Sequence, residues 1–186
     1  MHMMFRTMLI FWLARRRKNR GRTVGHYDVG RIRLTVLPTD LDLLGHMNNG
    51  VYLSIFDLGR FDLLIRSGLW DIFDGLGWYP VVNNETISFR KSLRLWQRFT
   101  VESRVIGFDD RAVYIEQRVV VKGEVYTKAI VRGRFLKKTG GVVSVDELIE
   151  AIGAVPDGVR IEEWMVRWAD EVSLPSTKSP APSVWP

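Results

Sequence analysis

The sequence predicts an α+β fold, an antiparallel β-sheet wrapped around one long central helix. Two observations carry that prediction. From Gly50 to Ser67, the residues Tyr52, Ile55, Phe56, Phe61, Leu63, Leu64 and Ile65 are apolar around much of a helical circumference. A helix that is apolar on most sides must be buried on most sides. Most of the remaining chain reads as strand, with one strand before this helix and four after it. Strands in that number must curl around the helix to bury it.

The elements follow in chain order. Arg31 to Leu37 alternates, with Ile32, Leu34 and Val36 on one face, so it reads as a strand ended by Pro38. The central helix starts at an Asn48 or Asn49 cap and stops at Gly68. Residues 85–93, 99–108, 112–122 and 125–136 are rich in Val, Ile, Phe, Tyr and Thr. Turn signals at Asp109-Asp110 and Lys122-Gly123 separate the last three, as hairpins require. Ser144 to Ile152 reads as a short helix opened by a Ser144/Glu147 capping box. Residues 161–170, with Trp164 and Trp168 four apart, read as another. The expected organisation is a basic and apolar segment (1–22), a single domain (23–173) and a Pro/Ser-rich tail (174–186).

Charge is unevenly placed. Residues 1–22 hold Arg6, Arg15, Arg16, Arg17, Lys18, Arg20 and Arg22 and no acid, which leaves 20 basic against 21 acidic residues elsewhere. The body is thus nearly neutral and the net charge of +6 belongs to one end. That segment's apolar run is far short of the roughly 20 residues that span a bilayer, and no signal-peptide cleavage site follows it. It reads either as an interfacial anchor for peripheral membrane contact or as a docking helix with a solvated basic end. Nucleic acid is not an expected partner, because the basic cluster lacks interleaved aromatics.

Absent residue types narrow the chemistry. The chain has no cysteine, so thiolate nucleophiles, thiolate zinc sites and disulfides are excluded together. No Gly-x-Ser-x-Gly elbow occurs. Three widely spaced histidines make no metal site, and neither metal nor cofactor is expected. The polar groups that remain concentrate between the first strand and the long helix: Asp40, Asp42, His46, Asn48 and Asn49.

The run Asp40-Leu41-Asp42-x-x-x-His46-Met47-Asn48-Asn49-x-x-Tyr52-Leu53, with Arg60 downstream, resembles the signature of the 4-hydroxybenzoyl-CoA thioesterase-like family. Residues 37–44, 90–95 and 107–112 carry the likeness further, and it covers about residues 30–137. The resemblance implies a hotdog fold, hydrolysis of an acyl-CoA thioester, and a homodimer or dimer of dimers with active sites between paired subunits. The expected location is cytoplasmic, with membrane association through residues 1–22 as the variant. The resemblance also makes Asp42 the catalytic carboxylate and the Asn49 backbone an oxyanion donor. Plant acyl-carrier-protein thioesterases of similar pattern add an asparagine and a histidine. Here the asparagine position is Leu44 and the histidine position is His46. A three-residue mechanism is therefore in doubt while a one-carboxylate mechanism survives.

Chemistry fits these positions. A carboxylate is ionised at neutral pH and can attack a thioester carbonyl or deprotonate a water. Free N–H groups at a helix start can hold the developing oxyanion. Each residue also has a plainer reading. Asp42 and Asp40 would shape the turn, His46 would brace the loop or hydrogen-bond the carboxylate, and Asn48 and Asn49 would cap the helix. Asp57 and Arg60, three apart on the helix, would form an ion pair. Arg90, Lys91, Arg94 and Arg98 would meet coenzyme A phosphates or guard an edge strand. Trp70, Phe73, Trp78 and Tyr79 would line an acyl pocket or fill the core. Two other functions stay open: a hydratase or dehydratase using His46 with Asp42 or Asp57, and a non-catalytic acyl-CoA-binding or lipid-binding module.

Overall fold

The computed structural model describes residues 3–176 and 179–184. Its pivot is a helix over Asn49–Arg66 (α2), which buries Tyr52, Ile55, Phe56, Leu58, Leu63 and Ile65. Two different layers cover it, which is why its apolar surface runs almost all the way round. On one side lies the sheet. On the other lies an N-terminal helix, Met3–Asn19 (α1), packed along it through Ile10 and Ala14. Each large apolar side chain so buried contributes roughly 1.5–3 kcal/mol.

Among the described residues the strands are β1 (Gly30–Thr35), β2 (Trp78–Phe89), β3 (Arg98–Phe108), β4 (Val113–Val121) and β5 (Glu124–Lys137). They form one sheet in the order β1-β3-β4-β5-β2, with all pairings antiparallel. Register sets Ile32 opposite Val101, Val101 opposite Val119 and Ile115 opposite Val131. Sheet and helix together make the hotdog layout.

Close approach of α2 to the sheet depends on Gly59. A Cβ there would lie 2.7 Å from the Ser103 Oγ and 2.9 Å from a Val101 methyl. Beside it the fully buried Gln117 donates to Ser103 Oγ (2.7 Å) and to the Phe56 carbonyl (2.9 Å). Arg60 donates to the Gln117 side-chain oxygen at 2.6 Å. A buried polar network that is satisfied in this way fixes the helix on the sheet.

The sequence expectations hold with specific differences. Lys122 and Gly123 both take positive φ (50° and 84°), the turn a two-residue hairpin needs. The Ser144/Glu147 box is present at the start of α4 (Val145–Ile152), with Glu147 N–H to Ser144 Oγ at 3.1 Å. The late helix α5 is Glu163–Val172, shifted two residues toward the C-terminus from the expected 161–170. A short helix, α3 (Leu69–Gly75), was not foreseen. Gly68 (φ 85°) ends one helix and starts the next, because a left-handed residue turns the chain without stopping helix formation.

The strand expected to begin at Glu85 begins at Trp78. Trp78 stacks on Phe73 (6.1 Å between centroids), and Trp70 packs edge-on against Phe11 of α1 at 4.9 Å. These residues take the core reading, whereas Tyr79 stays exposed. No regular structure forms among the described residues after α5, and residues 177, 178, 185 and 186 of the expected tail lie outside the description, as do residues 1 and 2 of the N-terminal segment.

Candidate active site

The chain from β1 to α2 makes a closed turn whose geometry starts with two aspartates. After β1, a single 3-10 turn (Pro38–Asp40) reverses direction. Leu41 and Met47 then pair as an antiparallel bridge, and His46 bridges Arg94 on the neighbouring segment. The Asp42 N–H donates to the His46 carbonyl (2.8 Å), and Met47 N–H donates to the Leu93 carbonyl (2.9 Å). The turn is therefore stitched both to itself and to residues 93–94.

Asp40 and Asp42 sit two apart and are treated differently. Asp40 is buried; one oxygen accepts from Arg6 of α1 at 2.7 Å and the other from the Leu37 N–H at 2.9 Å. Its carbonyl also accepts from the Asn48 N–H (2.8 Å). Every oxygen is used, so Asp40 shapes the turn. Asp42 is half-buried, and its Oδ1 accepts from the N–H groups of Leu44 (2.8 Å) and His46 (3.4 Å). Its Oδ2 has no hydrogen-bond partner among the described residues.

At the helix start, Asn48 is the N-cap, and its side-chain oxygen accepts from Gly50 N–H at 2.9 Å. The Asn48 side chain is thus a cap, the plainer of its two readings. Asn49 N–H has no partner among the described residues. That leaves a helix-terminal donor, at the positive end of α2, in the segment that carries the open carboxylate oxygen. His46 braces the turn through its backbone, and its ring makes no hydrogen bond to Asp42. The hydratase reading needs a histidine–carboxylate pair, and this turn does not contain one. Asp57 is ion-paired with Arg60 on α2.

The basic run divides as well. Arg90 (2.6 Å) and Lys91 (2.8 Å) both pair with Glu124, so their charge is already partly met. Arg94 is exposed, has no acidic partner among the described residues, and its backbone bridges His46 directly. Arg98 lies on β3 and is also exposed. Trp78 belongs to the cluster around Phe73 and Phe135, whereas Met47 and Leu93 beside the turn belong to the cluster around Tyr52 and Phe56. Within one chain, then, Trp78 is not gathered with Asp42.

Two features escaped the sequence reading. Arg6 lies four residues before Ile10 and eight before Ala14, on the buried stripe of α1. An arginine in such a stripe demands a buried acid, and that spacing was the available signal. The second is an apolar cavity of about 120 Å³ between α2, β2, β4 and β5, lined by Phe61, Leu64, Val82, Val131 and Phe135 and rimmed by Asp57 and Arg60. On β2, desolvation pushes the Glu85 carboxyl up; Arg60 pulls against it and Asp57 adds to it. These residues come from separate elements, so no local spacing could have grouped them.

Comparison with known proteins now decides the family. Residues 36–169 match the model of the thioesterase-like superfamily. The chain belongs to that superfamily. This thioesterase-like chain is 43% identical over 99 residues to Protein THEM6 of Xenopus laevis, covering 53% of this chain and 48% of that one. It is 37% identical over 95 residues to Protein THEM6 of Danio rerio, covering 51% and 47% respectively. The match thus spans about half the length of these curated relatives. Among solved structures, YbaW, a probable thioesterase from Escherichia coli, superposes with a TM-score of 0.62 at 23% identity. That likeness covers 66% of the thioesterase-like chain and 95% of YbaW, and it shows the hotdog fold.

Proposed function

We propose that the protein is an acyl-CoA thioesterase, hydrolysing an acyl thioester to the free acid and coenzyme A. The observation that carries this reading is the contrast inside one turn: both Asp40 carboxylate oxygens are taken by Arg6 and the Leu37 N–H, while Asp42 Oδ2 and Asn49 N–H have no partner among the described residues. Family membership supports the reaction class.

In this reading Asn49 N–H, at the start of α2, receives the thioester oxygen as it becomes negative. One such donor is worth roughly 3–4 kcal/mol in the transition state. Asp42 Oδ2 either attacks the carbonyl carbon, expelling the coenzyme A thiolate and leaving a mixed anhydride for water to cleave, or takes a proton from the attacking water. The Leu44 and His46 N–H groups hold Oδ1, so the carboxylate presents its other oxygen in one orientation. His46 acts as brace through its backbone and as a second candidate donor through its ring. Leu44 contributes a backbone N–H and no side-chain chemistry, which agrees with a one-carboxylate mechanism. Arg94 is the basic residue best placed for a coenzyme A phosphate, being beside the turn and without an acidic partner among the described residues.

Homodimerisation belongs to the same reading. β2 is a 12-residue edge strand that exposes Tyr79, Val82 and Phe89. A long unpaired edge with apolar side chains is a template for a second copy. Pairing there would bring the cavity beside β2 to the subunit boundary, where it suits an acyl group.

Thiol release from a panel of acyl-CoA thioesters, compared between the wild type and Asp42→Asn, tests the assignment. Turnover by the wild type and its collapse in the variant are expected; undiminished turnover in the variant removes Asp42 from the mechanism. Single turnover in heavy-oxygen water tests the nucleophilic route: label in the Asp42 carboxylate, left when water cleaves the anhydride at the aspartyl carbonyl, establishes it.

A further inference from the structure

The two faces of α1 differ in what covers them. Arg6, Ile10 and Ala14 face the body, tied down by Arg6–Asp40 and, about three turns later, by Arg17–Asp62 at 3.2 Å. On the opposite face Phe5 (58% exposed), Met8 (65%) and Trp12 (54%) stand in solvent, with Met4 and Leu9 beside them. From Met4 to Trp12 this apolar stripe runs about 12 Å along the helix. The same face continues into Arg15, Arg16 and Arg20. Arg16 lies over the Trp12 ring at 5.2 Å, and Arg16, Arg20 and Arg22 have no acidic partner among the described residues.

We infer that this face of α1 docks onto an anionic lipid surface, with the apolar stripe dipping among the headgroups and the arginines meeting lipid phosphate and carboxylate. Charge selects this occupant over a second copy of the chain. A twofold contact would set the face against itself, and residues 1–22 hold seven cations and no acid. An apolar stripe that runs on into a cationic cluster along one helix is what a negatively charged membrane interface recognises. No helix among the described residues is long and apolar enough to cross a membrane, so α1 would lie in the interface rather than through it. Through Arg6 the docked helix would hold the Asp40–His46 turn at a fixed orientation to the lipid.

Co-sedimentation of the full chain with vesicles of phosphatidylcholine, with and without phosphatidylserine, tests the inference. Association with the phosphatidylserine vesicles is expected, weakening with added salt. In Arg16→Gln/Arg20→Gln, partitioning should fall about five-fold for each arginine removed. In Met8→Gln/Trp12→Gln it should fall at least about ten-fold. Phe5→Gln repeats the apolar test in a separate protein, and unchanged thermal unfolding shows that each variant is folded. No association with phosphatidylserine vesicles overturns the inference, as does equal, salt-insensitive binding to phosphatidylcholine alone. So does a self-association in sedimentation velocity that disappears in Met8→Gln/Trp12→Gln, which would assign the face to a second copy.

Discussion

Near the N-terminal end of α2, Asp42 gives one oxygen to two backbone N–H groups, and the other has no partner among the described residues. Toward the C-terminal end, Asp62 is buried and gives one oxygen to Arg17 and the other to Arg66, at 3.2 and 3.1 Å. Both are aspartates beside one helix, and they serve opposite ends. A carboxylate closed by two guanidiniums joins α1 to α2 and has nothing left to offer a reactant. A carboxylate oriented by backbone donors, with an oxygen to spare, is placed but not consumed. Asp40 repeats the closed arrangement two residues from the open one, so partner geometry, rather than residue type or position in the motif, separates structural from reactive.

The largest expected effect breaks that contrast at the open site. Asp42→Asn keeps an oxygen to accept from Leu44 and His46 but removes the nucleophile or base. Thioester hydrolysis should fall about 10³-fold with thermal unfolding nearly unchanged. Asp62→Asn should do the reverse, changing stability while leaving turnover per folded molecule intact. Its pH dependence carries a sign. Burial pushes the Asp62 carboxyl up, with Arg66 and Arg17 pulling partly back. Between the ordinary carboxylate value and that raised value, the folded chain keeps a proton the unfolded chain has released. This group therefore costs stability as pH rises through that window. Urea unfolding across acidic pH should show that slope in the wild type and lose it in Asp62→Asn.

Next comes the clamp on the closed neighbour. Arg6→Met leaves Asp40 buried with no cation, which should cost about 3 kcal/mol. Replacing both partners with apolar residues of similar size should recover much of that loss, because a buried pair is expensive to halve and cheap to delete together. Urea titration of Arg6→Met and of Arg6→Met/Asp40→Leu measures both. If the single variant is as stable as the wild type, α1 is not fastened through Arg6.

How far the sequence spoke follows the same division. The central helix was legible because its apolar residues run around most of its circumference, and the β4–β5 turn because Lys122-Gly123 admits two positive φ angles. The turn holding Asp42 was legible as a motif. What separates Asp40 from Asp42 was not, since it depends on Arg6, thirty-four residues upstream. Glu124 was equally out of reach as the partner that occupies Arg90 and Lys91. The start of β2 was missed because Trp78 and Tyr79 follow α3 with no turn residue except Gly77, and aromatic residues suit a core and a strand alike.

A smaller effect probes the helix start. Asn48→Ala removes the acceptor of Gly50 N–H and should cost about 1 kcal/mol. It also frees a second donor next to Asn49, so the fall in stability should come without an equal fall in thioester turnover. A turnover loss well beyond the stability loss would return the Asn48 side chain to the substrate site.

The smallest expected effect falls on the residue where the motif departs from the plant-type pattern. Leu44 is 80% exposed, and the turn uses its N–H rather than its side chain. Leu44→Asn restores the plant-type residue, yet any side chain keeps the backbone donor to Asp42. Stability should stay within about 0.5 kcal/mol of the wild type. Turnover should hardly change, because an asparagine in solvent adds no group to a carboxylate already oriented by two N–H donors. A large gain in hydrolysis would show instead that the one-carboxylate site lacks a component, and that Leu44 marks the place from which it is missing.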